Sequence, residues 1–183
     1  MTGGALRMAG QADSVTAPLD RDAAVTELFL AHHARLVIVA QMIVGDLATA
    51  EDVVQDAFAA LYRRWPWIRE KGAAIGYVHS SVANGARSRL RQRRRMRTTE
   101  LDDLAGDLAP PAEDTALRHD AQRALEAGLA ELPVRQRQVI VLRYYLDQSE
   151  AEIAATLSIS KGSVKKHASR ALATLGTRLK EVR

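Results

Sequence analysis

The chain has 183 residues, room for one domain or two small ones, and a composition that is 47% hydrophobic but only 4% aromatic, so its cores are built from Leu, Val, Ile and Ala. It contains no cysteine, which excludes disulfides, thiolate metal centres and thiol redox chemistry, and no apolar run approaches the roughly 20 residues of a membrane helix. The net charge of +4 hides an asymmetry: seven of the eleven residues from Arg87 to Arg97 are arginine, whereas residues 98–117 hold six acids and no Lys or Arg. Such a reversal of sign marks a boundary.

Residues 1–21 are rich in Gly, Ala and Thr, lack the apolar centre of a secretory signal and are expected to form a loose, disordered tail. From Asp22 to Val44, Val25, Leu28, Phe29, Leu36, Val39, Ala40 and Ile43 recur near a period of 3.6 and predict a helix ended by Gly45-Asp46. His32 and His33 occupy adjacent positions on it and point apart, which argues against a shared metal. A second helix is expected to open at Thr49, with Asp52 as its capping-box partner and Val53, Val54, Phe58, Leu61 and Tyr62 on its apolar side, and to close at Trp65-Pro66. Its acids Glu51, Asp52 and Asp56 suit the helix dipole, or a docking face for a basic partner, better than catalysis, since no histidine stands at ligand spacing.

After a loop through Lys71-Gly72, a third helix is predicted from about Ala74 into the arginine cluster, with Ile75, Val78, Val82, Ala86 and Leu90 inward. Its outward face carries Ser80, Ser81, Asn84, Arg87, Ser88 and Arg91, the groups that grip phosphates and read bases. Trp65, Trp67 and Tyr77 suit either a core or stacking on an unpaired base. The acidic stretch ending in Pro110-Pro111 has the composition of a flexible linker. Leu117, Leu125, Leu129 and Leu132 then precede Pro133, and Val139, Ile140, Leu142 and Tyr145 line a further helix.

Ser149 to Leu175 reads as a helix-turn-helix, a device that places its second helix in the major groove of DNA. Ser149 and Glu152 form a capping box, Ile153, Ala154 and Leu157 face inward, Ile159 plugs the turn, and Ser160 caps a helix whose Val164, Ala168, Ala171, Leu172 and Leu175 face the core. The turn position at Ser158 calls for a left-handed backbone, at a cost of about 1 kcal/mol for serine. Lys161, Ser163, Lys165, Lys166, Ser169 and Arg170 remain outward, with His167 at the flank, for phosphates and base edges. No Gly-rich phosphate loop, nucleophile elbow or zinc spacing appears, so no cofactor, metal site or enzyme activity is expected.

Three blocks, in order, resemble the extracytoplasmic-function sigma factors, group IV of the sigma-70 family of bacterial RNA polymerase. Ala50 to Trp65 is similar to the helix that docks on the polymerase clamp. Tyr77 to Arg95 resembles the segment that melts and reads the minus-ten element, and Leu132 to Leu175 the domain that reads the minus-thirty-five element. The resemblance implies an all-α fold of two small helical domains joined by an acidic flexible linker: 22–97 (region 2), 98–117 (linker) and 118–183 (region 4). It implies core RNA polymerase binding by Glu51, Asp52, Gln55 and Asp56, minus-ten contacts by Tyr77, Ser80, Asn84, Arg87 and Arg91, and minus-thirty-five contacts by Lys161, Ser163, Lys165, Lys166, His167 and Arg170. The partners implied are core polymerase and promoter DNA, with an anti-sigma factor common in the family, and the place of action is the cytoplasm. The linker is implied to thread toward the polymerase active-site and RNA-exit path. Tyr77-Val78 stands where the family usually has Trp-Leu, Ser80 and Ala83 where it has Arg, and His167 where Arg is frequent, which bears on promoter sequence more than on activity class. The rival reading is a stand-alone helix-turn-helix regulator whose N-terminal helices dimerise or sense.

Overall fold

A computed structural model describes residues 21–68, 70–99 and 116–181; the N-terminal tail and nearly all of the acidic linker lie outside the described residues. The architecture is all-α: α1 (Arg21–Val44), α2 (Leu47–Arg64), a 3-10 turn (Trp65–Trp67), α3 (Lys71–Thr99), α4 (Ala116–Glu131), α5 (Val134–Tyr145), α6 (Glu150–Leu157) and α7 (Lys161–Glu181). α3 runs over both edges expected of it, absorbing Lys71-Gly72 and continuing through the arginines to Thr99. Although polar residues break its apolar run, α1 as a whole is by length and composition long and apolar enough to cross a bilayer. Here it packs against α2, α3 and α5, with Leu36, Val39, Ala40 and Ile43 almost fully buried.

α2 starts two residues earlier than the sequence pattern predicts. Asp46, in extended backbone, caps it by accepting a 2.8 Å hydrogen bond from the Thr49 amide. Asp52 therefore sits a turn too far in to serve as a capping-box residue. Asp46 wins because Gly45, at φ 93°, ends α1 in a left-handed step and delivers the carboxylate to the new helix's free N–H groups. Burial would raise the Asp46 pKa, but the bonds from Thr49 and Arg93 outweigh it and hold the group below the ordinary carboxylate range.

The first three helices and the last four pack on each other. One apolar cluster runs from Leu36, Ile43, Val53 and Val78 into Leu129, Leu132, Ile140, Val141, Ala171 and Leu175. A second joins Ala83 of α3 to Val139 and Leu142 of α5, Ile153 and Leu157 of α6, and Val164 and Ala168 of α7. Polar side chains stitch the same seam. Gln138, fully buried, donates to the Ala83 carbonyl at 2.5 Å. The buried Arg137 guanidinium donates to the carbonyls of Ile43 (2.6 Å), Ala130 (2.5 Å) and Leu132 (3.3 Å), capping the C-terminal ends of both α1 and α4. Those carbonyls have no partner within their own helices and carry the negative end of the helix dipole. Arg35 reaches from α1 to the Tyr145 carbonyl and the Asp147 carboxylate.

His79 of α3 belongs to the same seam. Thr156 donates to the Gln148 carbonyl oxygen at 3.2 Å, which turns the Gln148 amide nitrogen toward His79 Nδ1 at 2.8 Å. Nδ1 is then an acceptor and carries no proton. Burial, aided by the charges of His32 and Arg35 and opposed by Glu152, pushes the His79 pKa down to about 4.

Arg137→Ala leaves three carbonyls at helix ends without a donor and is expected to cost about 3 kcal/mol in urea unfolding, whereas Arg137→Lys recovers only part, having no fork to span them; an unchanged midpoint for the alanine variant would refute the role. For His79, the unfolded imidazole (6.5) takes a proton that the folded one refuses until about 4. Stability is therefore expected to fall as pH drops from 6.5 toward 4 and to lose that slope below it. Denaturation of His79→Gln across the same pH series should show a flatter limb.

Candidate nucleic-acid and partner-docking surfaces

The helix-turn-helix forms as its sequence dictates. The Ser149 hydroxyl accepts from the Glu152 amide, and the Glu152 carboxylate accepts from the Ser149 amide at 2.7 Å, a complete capping box. Ser158 adopts φ 52°, ψ 50°, the left-handed turn conformation, and its N–H closes back on Ala154 and Ala155. Ile159 packs partly into the apolar cluster, and the Ser160 hydroxyl accepts from the Ser163 amide at 3.1 Å to start α7.

The six candidates on α7 surround most of the helix instead of sharing one stripe. Val164, Ala168, Ala171 and Leu175 hold the buried side. Lys161 and Lys165 lie on one flank, Ser163, Lys166 and Arg170 face outward, and His167 sits half-buried on the other flank. The Ser163 hydroxyl is shared with Ser160 at 2.9 Å, and Lys165 stands 3.7 Å from Glu150. Leu172, expected inward, is 45% exposed. It lies one step past the buried stripe, on the rim of an apolar groove that Met42, Leu125, Ile140 and Tyr144 also line. Tyr145, expected to line its helix's core face, is likewise exposed, because the chain turns at α5's end and Arg35 takes its carbonyl.

On α3, Tyr77, Ser80, Asn84, Arg87 and Arg91 fall within a stripe of about 80° at the helical 100° per residue. Asn84 and Arg91 are exposed, while Ser80 and Arg87 are half-covered. Tyr77 packs partly on the core with the Arg64 guanidinium 5.7 Å from its ring centre. The two tryptophans divide: Trp65 packs on the core, whereas Trp67 is 73% exposed.

On α2, Glu51, Asp52, Gln55 and Asp56 form one exposed face. Asp56 is 3.1 Å from Arg89, and Asp46 is 2.7 Å from Arg93, so two of the cluster's arginines are held by α2 and its cap. Among the described residues no group of His, Asp or Glu could hold a metal. His33 stacks against Phe29, ring centres 4.4 Å apart, and His32 is half-buried on α1. Sequence reasoning missed Arg35, Arg137, Gln138 and Gln148. Only the place of Gln138, one helical turn before the inward Leu142, could have signalled any of them.

The fold and its surfaces thus define an all-helical protein with cation-bearing helices in both halves and an acid-bearing helix in the first. The sigma-70 region 2 family matches residues 28–96, and the sigma-70, region 4 family matches residues 122–175. The RNA polymerase sigma-E factor of Streptomyces coelicolor is 33% identical over 138 residues, 74% of this chain and 75% of that one. The ECF RNA polymerase sigma factor SigM of Mycobacterium tuberculosis is 30% identical over 152 residues, 83% of this chain and 75% of that one. Similar folds occur in the sigma factor RpoE in complex with the anti-sigma factor NepR from Bartonella quintana and in CnrH in complex with the cytosolic domain of CnrY. The first has a TM-score of 0.69 at 21% identity, covering 86% of this chain and 98% of that one. The second has a TM-score of 0.60 at 22% identity, covering 91% and 94%. The chain belongs to the extracytoplasmic-function sigma factors of the sigma-70 family, the proteins that direct promoter-specific transcription initiation by RNA polymerase.

Ser158→Gly is expected to raise stability by about 0.5–1 kcal/mol, since glycine adopts the left-handed turn without strain but has more freedom to lose. Thermal unfolding measures it, and a lowered midpoint would show that the serine is not strained.

Proposed function

We propose that residues 22–97 dock on core RNA polymerase and open the minus-ten element, and that residues 118–183 read the minus-thirty-five element, with no chemistry performed by the chain itself. The observation that carries this reading is the division of surface: acids on α2, an Asn/Arg stripe on α3 and a separate basic reading helix in α7. Glu51, Asp52, Gln55 and Asp56 meet the basic clamp. Asn84, Arg87 and Arg91, with Tyr77 and Ser80 beside them, track the opened strand. Lys161, Ser163, Lys165, Lys166, His167 and Arg170 enter the upstream major groove. The work is done in the cytoplasm, where the polymerase is, and an anti-sigma factor, as in the RpoE–NepR structure, is an expected partner.

The two promoter elements lie about 25 base pairs apart, about 85 Å at 3.4 Å per pair. In this structure α3 and α7 both pack on α6, a helix of eight residues and so about 12 Å long. The halves must therefore separate before both elements are read, and the packed form is the unengaged one.

The test is run-off transcription with purified core polymerase on genomic promoter fragments. Core-dependent initiation is expected. Asp52→Arg with Asp56→Arg is expected to weaken core binding at least tenfold while circular dichroism stays unchanged. Tight duplex binding without polymerase, and no initiation with it, would instead identify a stand-alone regulator.

A further inference from the structure

The packed form brings together cations that the promoter-bound form must separate. Gln138 of α5 bonds the Ala83 carbonyl of α3, and Arg135, one turn before Gln138, donates to the Gln138 side-chain oxygen at 3.2 Å. Arg87 and Arg91 stand one and two turns beyond Ala83 on the same side of α3. Val164 and Ala168 of α7 join Ala83 and Val139 in one buried cluster, so His167, between them, flanks the same seam. The charges acting on these groups fit that placement. Burial, then Arg87 and Arg91, lowers the Arg135 pKa; burial, then Arg135, Arg170 and Lys166, lowers that of His167. His167 Nδ1 is buried with no hydrogen-bond partner, which leaves Nε2 as the nitrogen available to an anion. Among the described residues no carboxylate pairs with Arg87, Arg91, Lys166 or Arg170.

We propose that this seam between α3, α5 and α7 is a binding site for a linear oligophosphate, formed by Arg87, Arg91, Arg135 and His167, with Lys166 and Arg170 beside it on the outward face of α7, only while the two halves are packed together. The repulsion among these cations opposes the packed form, and a multivalent phosphate bridging them removes it. A narrow, flexible chain of phosphates suits a seam between helices, whereas a duplex presents its phosphates on a broad rigid cylinder. Arg135 belongs to neither proposed promoter surface, so the site is more than the DNA-binding residues counted twice. A ligand that binds only the packed form shifts the population toward it. The bound phosphate thereby holds the factor away from promoters, a consequence that rests on the proposed function, whereas the binding itself does not.

The chain has no cysteine, so Ala34→Cys on α1 and Ala173→Cys on α7, both exposed, give a clean pair of spin-label sites across the halves. Sodium tripolyphosphate is titrated against sodium sulfate at matched ionic strength, with affinity read by calorimetry and distance by pulsed electron resonance. Saturable binding of tripolyphosphate and a distance distribution narrowed toward its short end are expected. Arg135→Gln and, at an exposed position, Arg91→Gln should each weaken binding about tenfold, and Arg135→Lys should keep most of it. Equal effects of sulfate, indifference to both glutamine variants, or a lengthened distance would overturn the site. So would tighter binding of a single-stranded oligonucleotide of equal charge. Run-off transcription without phosphate reads the proposed function separately, since none of these outcomes depends on it.

Discussion

The packed form depends on a guanidinium buried without a carboxylate. Arg137 is 8% exposed, and what compensates its charge is the ends of two helices, α1 and α4, whose last carbonyls converge on it from different halves of the chain. Each end carries roughly half a negative charge and orphan acceptors. A carboxylate there would bring its own desolvation cost. Carbonyls already lacking partners do not, and the same bonds satisfy helix ends that would otherwise be buried unpaired. Its neighbour Gln138 then reaches the middle of α3. Two consecutive residues of α5 thus position three helices, and the apolar clusters close around that geometry.

Such a seam is specific without being irreversible. Its apolar share, Leu129, Leu132 and Ile140 against α1, favours association without direction. Its polar share, Arg35, His79, Arg137, Gln138 and Gln148, selects one register, because any slip strands buried donors. When the halves part, water replaces these partners, and the net loss per bond is far below its strength in the interior. The proposed cycle, compact when idle and extended on DNA, is served by this mixture better than by a purely apolar contact.

What was legible in the sequence was local. The Ser149 capping box, the left-handed Ser158, the Ser160 cap and the apolar stripes of α1 and α2 rest on interactions three or four residues apart, which a linear pattern displays. The seam was not legible, since Arg137 meets Ile43 across 94 residues and Gln138 meets Ala83 across 55. Leu172 and Tyr145 show the limit of periodicity. The period says which residues could share a face, and the neighbours decide how far that face extends; both positions lie on the groove that Met42 of α1 and Leu125 of α4 also line. Asp46 was missed for a different reason. Two residues near the junction, Asp46 and Thr49, can both cap a helix, and the left-handed Gly45 chooses between them.

The relation of α2 to α3 adds a last constraint. At Gly85 an added Cβ would come within 3.1 Å of the Val53 methyl, so glycine permits the two helices to pack this closely. Its cost in helix propensity, about 1 kcal/mol, is offset by that contact. The pairs Asp56–Arg89 and Asp46–Arg93 cross the same interface from its exposed rim, where ion pairs contribute about 0–1 kcal/mol. Packing therefore holds the helices rigidly together, while the charged groups are free to exchange partners. In the proposed function, Asp56 turning to a basic surface on the polymerase would release Arg89 on the helix assigned to the opened strand, and docking would add positive charge beside a phosphate backbone. On that proposal, the acidic face of α2 and the arginine-rich α3, on one rigid unit, are parts of a single electrostatic exchange.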